Sequence, residues 1–440
     1  MKHLFVILLG LTFFSYPLFA VKEFYSLSRS PRSMGMGGAF YGISEDEYAL
    51  FSNPAGLSLR RSGTEVMLRV NGNVSSNAIS GFNDFKDLGD LNINQAINRL
   101  DKHKEKPMFG SVGLLPYFLT KNLAVGLLLA DTKLNFNILK SSSDIASLAD
   151  VNTEVAEMTF ISDSGLLIGY AQSFFDSNLH LGANLKGLLR GAGRKPFTLA
   201  EYNNSSAIDF DPAKIGGSGM GVDLDLGATY EIKQLPFGVL SRASIVLSNL
   251  LATQFAIAKQ NAGAPGLVRT VNLGWYTAFE GFSFIDNFHV LADISDISLG
   301  GENRADFGAR TGDFVKKLHL GVEVPMGRFS VRAGLNQGYL SAGLGINLYA
   351  LRLDLATYGE ETSEGNRRES RRYLASLALG WGSAPAAPIT SVKASEKVIP
   401  ETQVPSKSQL KQQKSEEIPQ TDSFELKDVP EKSGPPIQKQ

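Results

Sequence analysis

Apolar and polar residues alternate with period two, segment after segment, from about residue 60 to residue 382. Leu179-His180-Leu181-Gly182-Ala183-Asn184-Leu185-Lys186 sets apolar side chains on one face and polar or tiny ones on the other. Val222 to Ala228, Leu318 to Val324 and Leu351 to Leu355 repeat the pattern. A period of two is the signature of a strand with one apolar and one polar surface. In a soluble sandwich the apolar face is the core. In a membrane barrel it meets lipid, and the polar face lines the lumen.

Strand length, connection rhythm and aromatic placement separate these two cases. About fourteen strands are predicted, near 63–73, 109–119, 122–134, 155–174, 178–190, 219–232, 237–249, 268–281, 286–298, 315–325, 328–336, 339–347, 350–358 and 371–381. Many reach ten residues, the length a tilted strand needs to cross a bilayer. Connections run long, short, long, short, with the one near 337–338 breaking the rhythm. Outer-membrane barrels have short periplasmic turns and long external loops, and an even strand count returns both ends to the periplasm. Tyr117, Phe118, Phe174, Phe175, Trp275, Phe279, Tyr339, Tyr349, Tyr358, Tyr373 and Trp381 lie near strand ends, as girdles would. The expectation is an all-β transmembrane barrel at 61–382. A soluble exported β-protein is the alternative that fractionation would exclude.

The flanks differ in kind. Lys2 and His3 precede an apolar run, Leu4 to Phe14, and the segment closes on Leu18-Phe19-Ala20, which reads as a signal peptide over 1–20. Residues 383–440 carry repeated Pro with Lys, Glu, Gln and Ser, a composition expected to stay disordered, on the periplasmic side. In the first long loop, Ile93, Ala96, Ile97 and Leu100 recur at helical spacing, predicting a short helix between Asn92 and His103.

Residues 21–60 do not read as strand. Ser33-Met34-Gly35-Met36-Gly37-Gly38-Ala39-Phe40 is dense in glycine, which permits close backbone packing. Ser44 and Glu47 have the spacing of a capping box, and Asn53-Pro54-Ala55-Gly56-Leu57 reads as a second helix start. A fourteen-stranded barrel leaves a lumen to fill, so this segment is expected to be a plug.

The run from Ser33 to Leu57 resembles the N-terminal hatch of the FadL/TodX hydrophobic-compound transporter superfamily, nearest its PorV-like and TraF-like branches. The resemblance implies a fourteen-stranded outer-membrane barrel with a hatch, taking up hydrophobic small molecules such as long-chain fatty acids or hydrocarbons. It makes Met34, Gly35, Met36, Gly37, Gly38, Phe40, Asn53, Pro54, Gly56 and Leu57 the gate. In the PorV branch it implies instead a partner in protein secretion or surface attachment, so a periplasmic or secreted protein partner is the alternative expectation. The long tail after Trp381 departs from the pattern, since such barrels end on an aromatic residue.

Other chemistry has little support. With 43 basic and 44 acidic residues the net charge is −1, which supplies no field for nucleic acid. Cysteine is absent, removing thiolate metal sites and Cys nucleophiles. No hydrolase elbow, phosphate loop or zinc motif is present. No cofactor or metal is expected, and His180, His289 and His319 stand singly in strands. Asp223 and Asp225 share a strand face and could do acid–base work, but lumenal Lys186, Arg190, Arg332 and Arg352 make charge neutralisation the stronger reading. Apolar residues from Leu250 to Ile257 are expected to help form a ligand access site.

Overall fold

A computed structural model describes residues 26–60, 63–85, 101–104, 106–140, 144, 152–198, 216–235, 239–255, 266–280, 287–298, 314–348, 350–362 and 368–382. The strands are β1 (Glu65–Ser75), β2 (Met108–Leu119), β3 (Leu123–Ile138), β4 (Glu154–Phe174), β5 (Leu179–Thr198), β6 (Gly216–Leu235), β7 (Val239–Ser248), β8 (Thr270–Glu280), β9 (Asn287–Ser298), β10 (Leu318–Met326), β11 (Phe329–Asn336), β12 (Tyr339–Leu348), β13 (Leu351–Glu361) and β14 (Glu369–Gly382). Each pairs with its sequence neighbours, and β1 pairs antiparallel with β14 to close the barrel. The fourteen expected strands are the fourteen observed. β3, β5 and β6 run beyond their expected ends at the long-loop rim. There Arg194 pairs in the open with Glu154 and Glu157, so the alternation that marks the wall fades.

The two faces are inverted relative to a soluble protein. Along β1, Val66, Leu68 and Val70 are exposed, whereas Glu65, Arg69, Asn71 and Asn73 are buried. The same holds on β5, where Leu181, Leu185 and Leu189 face out and Lys186 and Arg190 face in. Water would penalise that outer surface and a bilayer would not. Closure also gives every wall strand a partner on each side, the condition for crossing hydrocarbon. Phe118, Phe174, Phe175, Tyr230, Phe329 and Trp381 are exposed toward the short-turn end, with Tyr373 toward the other. Two expected girdle residues are corrected: Tyr117 and Tyr358 are lumenal and buried. A shift of one residue reverses a strand's faces, and these two fall on the inward parity. Tyr349 lies outside the described residues.

The tight join between β11 and β12 has positive φ at both Gln337 and Gly338, as a two-residue hairpin requires. Helix α3 (Ser76–Phe85) follows β1 directly; the Ser75 hydroxyl accepts from the Ala78 N–H at 3.0 Å. The helix expected between Asn92 and His103 falls mostly outside the described residues, as do the signal peptide and the tail.

Candidate functional site

Residues 26–60 fill the lumen. They form helix α1 (Pro31–Gly35), a 3-10 turn (Glu47–Leu50) and helix α2 (Gly56–Leu59). Ser30 caps α1, and Pro31 occupies its first position. The expected capping box is corrected: Asp46, not Ser44, caps the turn, accepting from the Tyr48 N–H at 3.0 Å. Ser44 instead donates to the Phe40 carbonyl at 2.7 Å, and Glu47 is turned into the barrel. The second expected helix start is also corrected: α2 begins at Gly56 with Ala55 at its N-cap and no side-chain cap, and Asn53 accepts the Ala55 N–H at 3.1 Å in the turn before it.

The two halves of the hatch motif meet opposite sides of the wall. Met34 packs with Ala356, Tyr358 and Leu374. Gly35 lies against Gly343 of β12. Met36 lies against Gly321 of β10 and Gly334 of β11. Gly37 has φ +67°, and a Cβ there would be 2.5 Å from Leu320 and Leu335 backbone atoms, so only glycine fits. Gly38 faces His319, whose Nδ1 lies 2.8 Å from the Gly37 carbonyl. The Asp293 carboxylate accepts the Phe40 and Tyr41 N–H groups at 2.5 and 2.9 Å. On the far side, Asn53 donates to Thr229 at 2.9 Å. Pro54 packs over Gly182 and Gly227, Leu57 over Gly169, and Gly56 passes under the Ser44 carbonyl. Thus the tiny residues in the alternating strands are notches that admit the hatch. A Cβ on Gly182 would stand 2.5 Å from the Pro54 carbonyl carbon.

A chain of buried charges locks hatch to wall. Arg32 joins Asp46 at 3.5 Å and Glu323 at 2.7 Å; Arg332 joins Glu323 and Asp354, each at 2.8 Å. Arg69 approaches Asp354 at 3.9 Å and pairs closely with Glu47. Arg352 spans Glu47 and Glu65, and Arg60 closes on Glu65. Burial, then the neighbouring Glu47 charge, pushes the Asp46 carboxyl up to about 7. Burial alone would lower Arg32, but Glu323 and Asp46 hold it well above its ordinary value. Strand parity places Arg332 and Arg352 in the lumen, but no motif signals their partners Glu323, Asp354, Glu47 and Glu65.

Asp223 and Asp225 are structural in this geometry. Asp225 pairs with Lys186 at 2.7 Å and accepts the Asn249 N–H at 2.8 Å. Asp223 accepts the Leu251 and Thr253 N–H groups at 3.1 and 3.0 Å. Together they fold the segment after β7 back into the lumen. Of the apolar residues expected there, Phe255 is buried, Leu251 is exposed, and Ile257 lies outside the described residues. No cluster of three metal-ligating side chains occurs among the described residues.

Beside these charges the described residues form three apolar clusters, of which one is the largest. It includes Phe255, Leu267, Ile161, Leu188 and Ala192 toward the long-loop end, then Leu128, Leu167, Leu115 and Ala124, and ends on Leu50 and Leu57 of the hatch. Beside it the wall pairing shifts register, as it also does between β4 and β5, β6 and β7, and β8 and β9. The β2–β3 register shifts between Leu114 and Tyr117, and the β3–β4 register between Leu128 and Asp131. Pro116 sits in the first shift, where it has no N–H to give. A cavity of about 20 Å³ lined by Ser28, Asn71, Lys133, Phe109 and Leu374 is water-sized.

No protein-family model matches the chain, and no curated protein matches it in sequence. Among solved structures it is similar to the CymD monoaromatic hydrocarbon channel, with TM-score 0.46 and 13% identity over 82% of this chain and 98% of that one. It is similar to the P. putida toluene transporter TodX, with TM-score 0.45 and 13% identity over 82% and 99%. A Pseudomonas aeruginosa FadL homologue gives TM-score 0.34 and 10% identity over 84% and 100%. The likeness is one of overall barrel shape, and the functional reading rests on this chain's own residues.

Proposed function

We propose that the protein is an outer-membrane channel for hydrophobic small molecules, gated by the hatch at residues 26–60. The observation that carries this reading is the apolar cluster from Phe255 and Leu267 to Leu50 and Leu57. It is the largest of three apolar clusters among the described residues and offers a lipophilic route, and it runs beside the register shifts between β2, β3 and β4. A molecule moving along it would leave sideways into the bilayer without meeting the periplasm. With the hatch seated the route is filled by side chains, so passage requires the hatch to shift. The gate residues are Met34 to Phe40 on one side and Asn53 to Leu57 on the other. The outward apolar belt with its exposed aromatics supports placement in the outer membrane.

Uptake tests this reading. Gram-negative cells lacking other channels for hydrophobic compounds should accumulate decane or toluene faster when the protein is expressed. Unchanged uptake, with a secreted or periplasmic protein recovered on pull-down, would replace the channel by a secretion partner.

A further inference from the structure

At the long-loop end the wall is lowest where β11 turns into β12. The join there is Gln337 and Gly338 alone, whereas the other strand pairs at that end are linked by longer segments. β11 is also the shortest strand, with eight residues against twenty-one in β4. At about 3.4 Å per residue and a tilt of about 40°, eight residues climb about 21 Å and twenty-one climb about 55 Å. Phe329, exposed at the foot of β11, marks the short-turn interface. The apolar band of an outer-membrane barrel is about 25 Å tall. The tip at 337–338 therefore ends at the level of the outer-leaflet headgroups, while β4 rises well clear of them.

This tip is apolar on its outer face and flanked by cations. Leu335 and Leu340 stand opposite each other beside the turn, and both point outward; Leu340 is 72% exposed. A 3-10 turn, Phe314–Lys317, leads into β10 and lies against the tip, with Val315 on Gly338. Its Phe314 is 61% exposed, and Lys316 and Lys317 close the turn. On the other flank, Arg371 Nη1 donates to the Leu340 carbonyl at 2.7 Å. The acids nearby are engaged. Glu360 holds Arg29 at 2.8 Å, Glu361 accepts from the Tyr339 hydroxyl and the Arg368 N–H at 2.9 Å each, and Glu369 pairs with Arg371. Lys316 and Lys317 thus leave the surroundings of the tip positive. Water would hydrate Leu340 and Phe314 unfavourably and acyl chains would cover them. Basic residues at a membrane surface attract anionic headgroups.

We propose that the β11–β12 tip is a docking site for an anionic lipid of the outer leaflet. Its acyl chains lie on Leu335, Leu340 and Phe314, and its phosphate meets Lys316, Lys317 and Arg371. Leu335 and Leu340 continue the outward row of Val331 and Leu344, so the apolar part of the site is the upper edge of the belt that meets the bilayer. That continuity, with the positive flanks, selects a lipid as the occupant. The proposal uses the membrane placement given above and is independent of what passes through the lumen.

Native mass spectrometry of the full chain, released from micelles holding equal amounts of dioleoyl phosphatidylglycerol and dioleoyl phosphatidylcholine, tests it. The two lipids share acyl chains and differ in headgroup charge. The unaltered protein should retain phosphatidylglycerol in preference. Lys316→Glu combined with Lys317→Glu should lower that preference at least about fivefold. Leu340→Ser, which leaves the charges in place, should weaken retention of phosphatidylglycerol, and Arg194→Glu on the tall wall should leave the preference unchanged. Absence of a preference in the unaltered protein overturns the proposal, as does a double variant within about twofold of it. Displacement of the lipid by inorganic phosphate also overturns it, since the site would then hold an anion without acyl chains. A dimer that Leu340→Ser dissociates would give the tip to a second copy and overturn it too. If the charge reversal fails to assemble on a heat-modifiability gel, Lys316→Gln with Lys317→Gln is read by the same criterion. Preferential retention by a protein that supports no uptake would remove the channel and leave this site standing. Uptake without preferential retention would do the reverse.

Discussion

Glu47→Gln removes one charge from the center of the hatch lock. Glu47 is fully buried and lies between Arg69 and Arg352, both of which belong to the wall. Breaking a buried pair by neutralising one partner costs about 3–5 kcal/mol, because the other charge is left uncompensated. Two features put this case at the low end of that range. Arg352 keeps Glu65 at 2.6 Å, and Arg69 keeps Asp354 at 3.9 Å. A loss of about 3 kcal/mol from the seated state, at about 1.4 kcal/mol per factor of ten, raises the unseated population by about 100-fold. Single-channel recording in planar bilayers reads this as open dwell time, and hydrogen exchange at Tyr48 to Phe51 reads it independently. The control is Glu154→Gln, which breaks an exposed pair with Arg194 at 2.9 Å. Exposed pairs contribute about 0.2–1 kcal/mol, so the control should stay close to the unaltered protein. If Glu47→Gln leaves both readouts within about twofold of it, buried charge does not hold the hatch and the argument fails.

The other predictions concern pH, packing and the inward loop. With Asp46 raised from 3.8 to about 7, its protonated form favours the seated hatch. That advantage is full below the ordinary carboxyl pKa, declines as pH rises toward 7, and is gone above it. The seated state should accordingly be weaker at pH 8 than at pH 5, and Asp46→Asn, which still caps the turn, should flatten the profile in the same conductance recordings. Gly182→Val places a side chain where Pro54 lies; overpacking of this kind costs about 1–3 kcal/mol. It should lower the temperature at which the folded band disappears on a heat-modifiability gel. Asp223→Ala removes the acceptor for the Leu251 and Thr253 N–H groups. Protease cleavage within Asn249 to Phe255 should become faster, while the barrel band persists.

The wall was legible because a strand that meets lipid on one side must alternate. Leu179 to Lys186 and Val222 to Ala228 announce their own faces. The lumen-filling segment was legible through Gly35 to Gly38 and Asn53 to Leu57, where close backbone approach demands glycine and a turn suits Asn-Pro. Its partners were not. Gly182, Gly227 and Gly334 read in sequence as small residues on the polar face, and nothing local shows that a hatch lies on them. The pairing of Glu47 with Arg69 and Arg352 depends on the closure of β1 on β14, which places distant segments side by side. Tyr117 and Tyr358 were assigned outward from their nearness to strand ends, whereas parity alone decides the face. Asp46 displaced Ser44 as cap because the 3-10 turn starts one residue before Tyr48.

The most direct measurement is uptake with the hatch fastened to the wall. The chain has no cysteine, so thiols at Asn53→Cys and Thr229→Cys would be the only ones present. The native side chains at these positions already meet at 2.9 Å, across the boundary between hatch and β6. Cells expressing this double variant should accumulate toluene while the thiols are free, stop when a short bifunctional thiol reagent joins the pair, and resume when a cleavable linker is cut. Accumulation that continues undiminished with the hatch fastened would contradict a hatch-gated channel.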